Sequence, residues 1–286
     1  MSEGPFTGAF RVFARLLEAR TGQILSENRV WRIETALTPI LRANDLASLD
    51  ALVAALSAGQ GRRLADQVVD ALLNNESSFF RDLQVFDMLG RDLLPHLAAT
   101  RPGRTLRIWC AGCSTGQEAY SLAMLFSGNA DLWQDWRISI LATDISSAAI
   151  SQARSGLYSQ IDVQRGLPIG DLLRWFEPVG DDWKVKDELR RMVDFRQDNL
   201  FDSHAPNGAY DLIFCRNVLL YFSNDMRRRV FDLLTRHSHD STFLLMGAGE
   251  TVIGQTDEFA ASRDYRGSYA RRPAGQPVPQ TLARAG

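Results

Sequence analysis

Leu106-Arg-Ile-Trp-Cys-Ala111 runs directly into Gly112-Cys-Ser-Thr-Gly-Gln-Glu118. A short, mostly apolar run followed by a glycine turn and a helical start reads as a buried strand that delivers its carboxyl end to a ligand. Comparable runs recur at Ile138–Thr143, Val193–Phe195, Tyr210–Cys215 and Phe243–Met246, with helical stretches between them. Strands alternating with helices predict an α/β fold whose doubly wound, mostly parallel sheet occupies 103–270. The alternation breaks at 165–196. There Leu-Pro-Ile-Gly, Pro178-Val-Gly180 and the alternating Trp183-Lys-Val185-Lys predict a helix and a small antiparallel β-subdomain as an insertion.

Upstream, apolar residues recur at helical spacing: Phe10, Phe13, Leu16 and Leu17, then Val30, Ile33, Leu37, Ile40 and Leu41, then Leu49, Leu52, Val53 and Leu56. With a further helix from Arg63 to Leu73, residues 1–74 are expected to form an all-helical domain of four short helices. Residues 75–102 then link it to the sheet. From Arg271 onward, three prolines and two glycines predict a mobile tail, 271–286.

The 286 residues carry 32 basic and 34 acidic side chains, a formal charge of -2, with 45% hydrophobic residues. That composition supplies a core and excludes a disordered chain. It lacks the basic excess of a phosphate-neutralising protein, so no nucleic-acid partner is expected. No stretch approaches the roughly 18 uninterrupted apolar residues of a membrane span, so no direct membrane insertion is expected. Cys110, Cys113 and Cys215 cannot build a disulfide framework, and MSEGPFTGAF lacks an apolar signal core, which points to a reducing cytoplasm. Cys110-x-x-Cys113 has too few companions for a metal site, and none is expected. His237 and His239 read as solvent-exposed.

Ligands of open α/β sheets lie beyond the carboxyl ends of the strands, so the residues there carry the functional reading. Ala111-Gly112 lets the backbone approach a ligand closely, and a helix starting near Ser114 would offer free N–H groups to a carboxylate. The glycines lack the G-x-G-x-x-G spacing of a dinucleotide turn. After the second strand, Asp144 can accept hydrogen bonds from both hydroxyls of a ribose. A glycine turn and an acid in these places suit a nucleoside cofactor, NAD or S-adenosyl-L-methionine. Asp198-Asn199-Leu200-Phe201 follows the third strand, where Leu200 could face an adenine ring, and Arg216-Asn217-Val-Leu-Leu-Tyr221-Phe222 follows the fourth. Asn75-Glu-Ser77-Ser-Phe-Phe-Arg81-Asp82 sits at the junction between the helical segment and the sheet. Its aromatics suit a core, but its polar residues need another reason. The plain alternatives are a helix cap for Arg81, a core tyrosine for Tyr221 and a surface acid for Glu118.

Asn75–Asp82, Ala111-Gly-Cys-Ser-Thr-Gly-Gln-Glu-Ala-Tyr-Ser121, Ala142-Thr-Asp-Ile145 and Arg216–Phe222 together resemble, in order and spacing, the signatures of CheR-type chemoreceptor methyltransferases. The similarity runs from about Phe10 to Tyr269. It implies a Rossmann-like methyltransferase sheet behind a helical receptor-recognition domain. It also implies S-adenosyl-L-methionine as cofactor, S-adenosyl-L-homocysteine as product, and glutamate side chains on the cytoplasmic helical bundle of chemoreceptors as methyl acceptors in chemotaxis adaptation.

Residue by residue, the resemblance implies a cofactor lining of Asn75, Ser77, Arg81, Ala111, Gly112, Glu118, Asp144, Asn199, Leu200, Arg216 and Asn217, with Arg81 and Tyr221 nearest the methyl group as catalytic residues. The helix around 28–42, with Arg29, Arg32 and Arg42, is implied to face the receptor. Some members bind a receptor C-terminal pentapeptide on the inserted hairpin. Here 176–186 is shorter at the turn, so that tether is not expected to be required, and a monomer is expected. The sequence departs from the family at Ser77, Gln117, Ala119 and Gly247-Ala-Gly-Glu250, the last leaving open what that segment contacts. A catalytically silent cofactor-binding scaffold in a signalling complex is the competing functional reading.

Overall fold

The computed structural model describes residues 8–25, 30–58, 61–201 and 208–272. Four helices open the chain: α1 (Gly8–Thr21), α2 (Val30–Ala43), α3 (Leu49–Ser57) and α4 (Arg62–Leu72). The apolar stripes read from the sequence meet in one core, in which Phe13, Leu17, Ile33, Leu37, Leu52 and Val68 are almost fully buried. α1 and α2 are longer than the spacing suggested, at 14 residues each.

Ten strands follow among the described residues: β1 (Thr105–Ala111), β2 (Arg137–Asp144), β3 (Leu157–Ser159), β4 (Phe176–Val179), β5 (Asp182–Val185), β6 (Val193–Gln197), β7 (Tyr210–Cys215), β8 (Ser238–Met246), β9 (Phe259–Ala261) and β10 (Ser268–Arg271). Seven form one sheet in the order β6-β2-β1-β7-β8-β10-β9. From β6 to β8 every neighbour pair is parallel, and β10 pairs antiparallel with both β8 and β9. Parallel strands covered on both faces read as continuous apolar runs, which is why β7 is buried along its whole length. The chain builds outward from β1 to β2 and β6, then crosses back to β7. This reversal opens a crevice at the carboxyl ends of β1 and β7.

The remaining strands form a small antiparallel sheet, β3-β5-β4. Its first strand precedes the break read in the sequence, and β6, inside that break, belongs to the main sheet. Arg271 is likewise not tail but the last residue of β10, paired with Glu258 at 2.5 Å. At the amino end of the sheet, Asp211 joins the Arg101 guanidinium at 2.6 Å and His239 at 3.1 Å. His239 is therefore half-buried in an ionic cluster rather than free in solvent. Burial would raise the Asp211 carboxyl, but His239, the Arg107 N–H and Arg101 hold it below the usual carboxylate range.

The helical segment packs over the carboxyl ends of the strands. The Ile24 N–H donates to the Tyr221 carbonyl at 2.7 Å. Ser147 donates its hydroxyl to Asp70 of α4 at 2.6 Å. α1 ends at Gly22, whose φ of +70° turns the chain against Phe201, and a Cβ there would fall 2.5 Å from the phenylalanine ring. Among the described residues, no helix is long and apolar enough to cross a membrane.

Candidate functional site

A pocket of about 850 Å³, counted with its open mouth, lies where the crevice between β1 and β7 meets the helical segment. Its wall after β1 is Gly112–Ser114, the start of the turn that ends at Gly116. Gly112 has φ +82°, and a Cβ on it would lie 2.4 Å from Val218 Cγ2, so only glycine lets the loops after β1 and β7 approach each other. The helix begins three residues later than the sequence suggested, at Gln117 behind Gly116. Ser114 has φ +51° and is part of the turn instead.

That turn is held from β2. The Asp144 carboxylate accepts the N–H of Ser114 at 2.7 Å and of Ser146 at 2.9 Å. Burial lifts the Asp144 carboxyl above the ordinary range, and these N–H groups partly offset the rise. Each carboxylate oxygen retains acceptor capacity, which leaves room for the hydroxyls of a ribose. The Ser114 hydroxyl donates to the Asn75 carbonyl at 2.7 Å, fastening the junction segment to the turn.

Opposite, Arg216 carries a side chain only 1% exposed. It donates to Glu118 at 2.8 Å, to Asp82 at 2.5 Å and to the Arg81 carbonyl at 3.0 Å. Its guanidinium is thus committed to the wall beneath the pocket. Burial raises the Glu118 carboxyl, with Arg216 and then Arg81 pulling it back down. Arg81 itself lines the pocket and donates to the Glu76 carbonyl at 3.2 Å.

Phe80, Asp82, Ser114 and Asn217 all have positive φ without being glycine. Ser114 and Asn217 line the pocket, and Phe80 and Asp82 flank its Arg81; such strain, held by the surrounding structure, costs about 1 kcal/mol or more at each residue. For Asn217 the restraint is visible. Glu250 Oε2 accepts the N–H of Asn217 at 2.7 Å and of Gly247 at 2.8 Å, while Oε1 accepts that of Leu219 at 2.8 Å. The segment whose contacts the sequence left open is therefore a clamp on the loop after β7. A Cβ on Gly247 would sit 2.5 Å from the Asn217 amide nitrogen, so the glycine there is required as well.

Asn75, Ser77, Arg81, Gly112, Glu118, Asp144, Asn199, Leu200, Arg216, Asn217 and Tyr221 all line the pocket. Ala111 does not, being buried at the end of β1 with 1% exposure. Asn199 reaches the Arg20 carbonyl at 3.2 Å and caps the Phe201 N–H at 3.1 Å. Arg29 lies outside the described residues. Arg32 and Arg42 are both exposed on α2. Ten residues of helix separate them by about 15 Å along the axis, so they form no common cluster. Sequence reasoning missed Gln23, Asn74 and Val218 as lining residues, and Glu250 as a support. Glu250 could have been suspected from its place just past β8, at the edge where such sheets bind ligands.

The three cysteines are buried, and burial pushes each thiol well up, which leaves them protonated and inert. For a nucleoside cofactor with a cationic end the lining fits: four carboxylates (Glu76, Glu118, Asp144 and Asp198), several side-chain amides, apolar faces at Leu200 and Val218, and a glycine cradle.

Residues 75–266 match the family model described as CheR methyltransferase, SAM binding domain. The chain is 38% identical over 257 residues to the chemotaxis protein methyltransferase of Vibrio parahaemolyticus, covering 89% of this chain and 93% of that protein. It is 35% identical over 254 residues to chemotaxis protein methyltransferase 1 of Pseudomonas aeruginosa, covering 87% and 92%. The parallel sheet, the pocket with its carboxylates and these matches agree on cofactor and chemistry: the chain belongs to the CheR methyltransferase family, with S-adenosyl-L-methionine as its cofactor and chemotaxis as the setting of the methylation.

Proposed function

We propose that the protein methylates glutamate side chains on the cytoplasmic helical bundle of chemoreceptors, giving glutamyl methyl esters and S-adenosyl-L-homocysteine. The observation that carries this reading is the pairing of Arg81 and Tyr221 at one pocket with the acids Glu118 and Asp144. A cation and a phenol suit a carboxylate acceptor, and the two acids suit a cationic cofactor. S-adenosyl-L-methionine supplies an electrophilic sulfonium methyl. A glutamate carboxylate, with a reference pKa of about 4.3, is already ionised at neutral pH, so the protein needs no general base. What the residues contribute is alignment and exclusion of water, an effect that can reach about 7–11 kcal/mol. Arg81 grips the spare carboxylate oxygen, Tyr221 donates to the acceptor, Asp144 accepts from the ribose, and Glu118 provides negative charge for the cofactor's cationic end.

In this reading residues 1–74 recognise the receptor, 75–102 link and supply active-site groups, and 103–270 hold the cofactor. The enzyme acts as a cytoplasmic monomer and does not need the receptor pentapeptide. Asp144→Ala is expected to weaken cofactor binding roughly hundredfold by calorimetry, the worth of one or two hydrogen bonds to a charged acceptor. Unchanged affinity would remove Asp144 from the ribose site. Arg32→Glu is expected to slow receptor methylation about tenfold with cofactor affinity intact, by placing like charge before an acidic bundle. An unaltered rate would discard α2 as the docking face. The reading as a whole is tested by mass spectrometry of a receptor cytoplasmic fragment after incubation with enzyme and cofactor. Methyl groups on glutamate side chains are expected, and modification of other residues alone would refute the assignment.

A further inference from the structure

β3 has three residues, and only its middle one, Tyr158, is buried. The strand is confined at both ends. Gly156 ends the helix Ser147–Ser155 in the left-handed region, and Ser159 opens the helix Gln160–Gln164 with a capping box to Asp162. β5 pairs along it, setting Tyr158 opposite Trp183. The ring is thereby aimed inward against Phe79 of the junction segment, with 5.0 Å between centroids. Its hydroxyl donates to the Thr115 carbonyl at 2.6 Å. A carbonyl only accepts, so the direction is fixed, and burial pushes the phenol well above its ordinary range, so the proton stays in place.

Thr115 stands in the turn after β1 between Ser114, at φ +51°, and Gly116, at φ +92°. A strained turn keeps its shape only while its surroundings over-determine it. On the amino side Asp144 takes the Ser114 N–H, and the Asn75 carbonyl takes the Ser114 hydroxyl. Within the turn the Gly116 N–H closes on the Cys113 carbonyl at 3.0 Å. Tyr158, 43 positions beyond Thr115, holds the carboxyl side.

We infer that Tyr158 is a positioning residue: by holding the Thr115 carbonyl it sets the conformation of the turn that receives the cofactor, so the small antiparallel sheet contributes to S-adenosyl-L-methionine affinity from outside the pocket. The inference rests on the proposed seat of the cofactor at Gly112, Glu118 and Asp144. It gives that sheet a part in the reaction that needs no receptor contact.

Tyr158→Phe keeps the ring and removes the bond. Calorimetry with S-adenosyl-L-methionine on the full chain is expected to show roughly five- to tenfold weaker binding, the factor of one hydrogen bond. With a receptor cytoplasmic fragment, the rate at saturating cofactor should stay within about threefold of wild type. Tyr120→Phe supplies the comparison. Tyr120 is also buried, its ring lies 6.2 Å from that of Tyr158, and its hydroxyl donates to the Ala153 carbonyl at 2.7 Å, outside the turn. Both variants should lose roughly 2–4 °C of thermal midpoint, yet Tyr120→Phe should bind cofactor within about twofold of wild type. Equal weakening in the two would mean a general loosening of the core and would overturn the assignment. Amide hydrogen exchange across residues 112–118 should quicken in Tyr158→Phe and not in Tyr120→Phe. Weakened binding with unchanged exchange there would also overturn it. Full affinity in Tyr158→Phe beside a weakened Asp144→Ala would overturn the role of Tyr158 alone. Full affinity in both would overturn the proposed seat of the cofactor as well.

Discussion

Arg81→Ala is expected to lower the rate of methyl transfer to a receptor fragment by roughly 100- to 1000-fold, the usual consequence of removing one aimed donor from a reacting charge. Cofactor affinity should change by less than about threefold, because Asp144, Glu118 and the glycine turn remain to hold the cofactor. The asymmetry follows from position. Arg81 lines the pocket and has one hydrogen bond to the Glu76 carbonyl at 3.2 Å, which leaves donors available for a carboxylate. A tight grip also stabilises the anion that must react, so its useful contribution is alignment. Initial rates and calorimetry on the same preparation separate the two quantities. Equal loss of rate and affinity would assign Arg81 to the cofactor instead of the acceptor.

Arg216→Met should act mainly on stability. The guanidinium satisfies Glu118, Asp82 and the Arg81 carbonyl from a nearly inaccessible position. Removing one partner of a buried ionic group commonly costs about 3–5 kcal/mol, because the remaining charges are stranded. Glu118, whose carboxyl burial already pushes up, can relieve part of that by taking a proton, so the lower end is expected. For a chain this size about 3 kcal/mol corresponds to a thermal midpoint lower by roughly 6–12 °C. The Glu118 carboxyl would rise further without its cation, so the deficit should be larger at neutral than at mildly acidic pH. A midpoint within about 2 °C of wild type would mean that Arg216 is replaceable by packing.

The parts of the molecule that were legible in the sequence are those whose physics is local. β1, β2, β7 and the second half of β8 are buried over most of their length and so announce themselves as apolar runs; β6, at the sheet edge, buries only Val193 and Phe195. β9 and β10 have only three and four residues, with polar neighbours, and nothing in their spacing separates them from loop. β3 is equally short and becomes a strand only because β5 pairs with it across the insertion. At the site, Gly112 and Asp144 could be read because each follows its strand directly. Asn74 could not, since its partner Tyr221 is 147 positions away and the contact exists only once the helical segment has docked. Glu250 was visible as an acid but not as a clamp, because its work is done on backbone N–H groups 31 to 33 residues earlier. Ser114 and Asp82 look like cap residues, and nothing in their local sequence announces the positive φ that both adopt.

In the proposed function, Arg81 and Tyr221 present a glutamate carboxylate to a methyl donor held by Glu118 and Asp144. The most direct measurement is tritiated methyl incorporation into a chemoreceptor cytoplasmic fragment, followed by alkaline hydrolysis. Label that is transferred by the wild type, lost in Arg81→Ala and released by alkali as methanol is the predicted result, since carboxyl methyl esters hydrolyse in base. Alkali-stable label, or none despite tight cofactor binding, would contradict it.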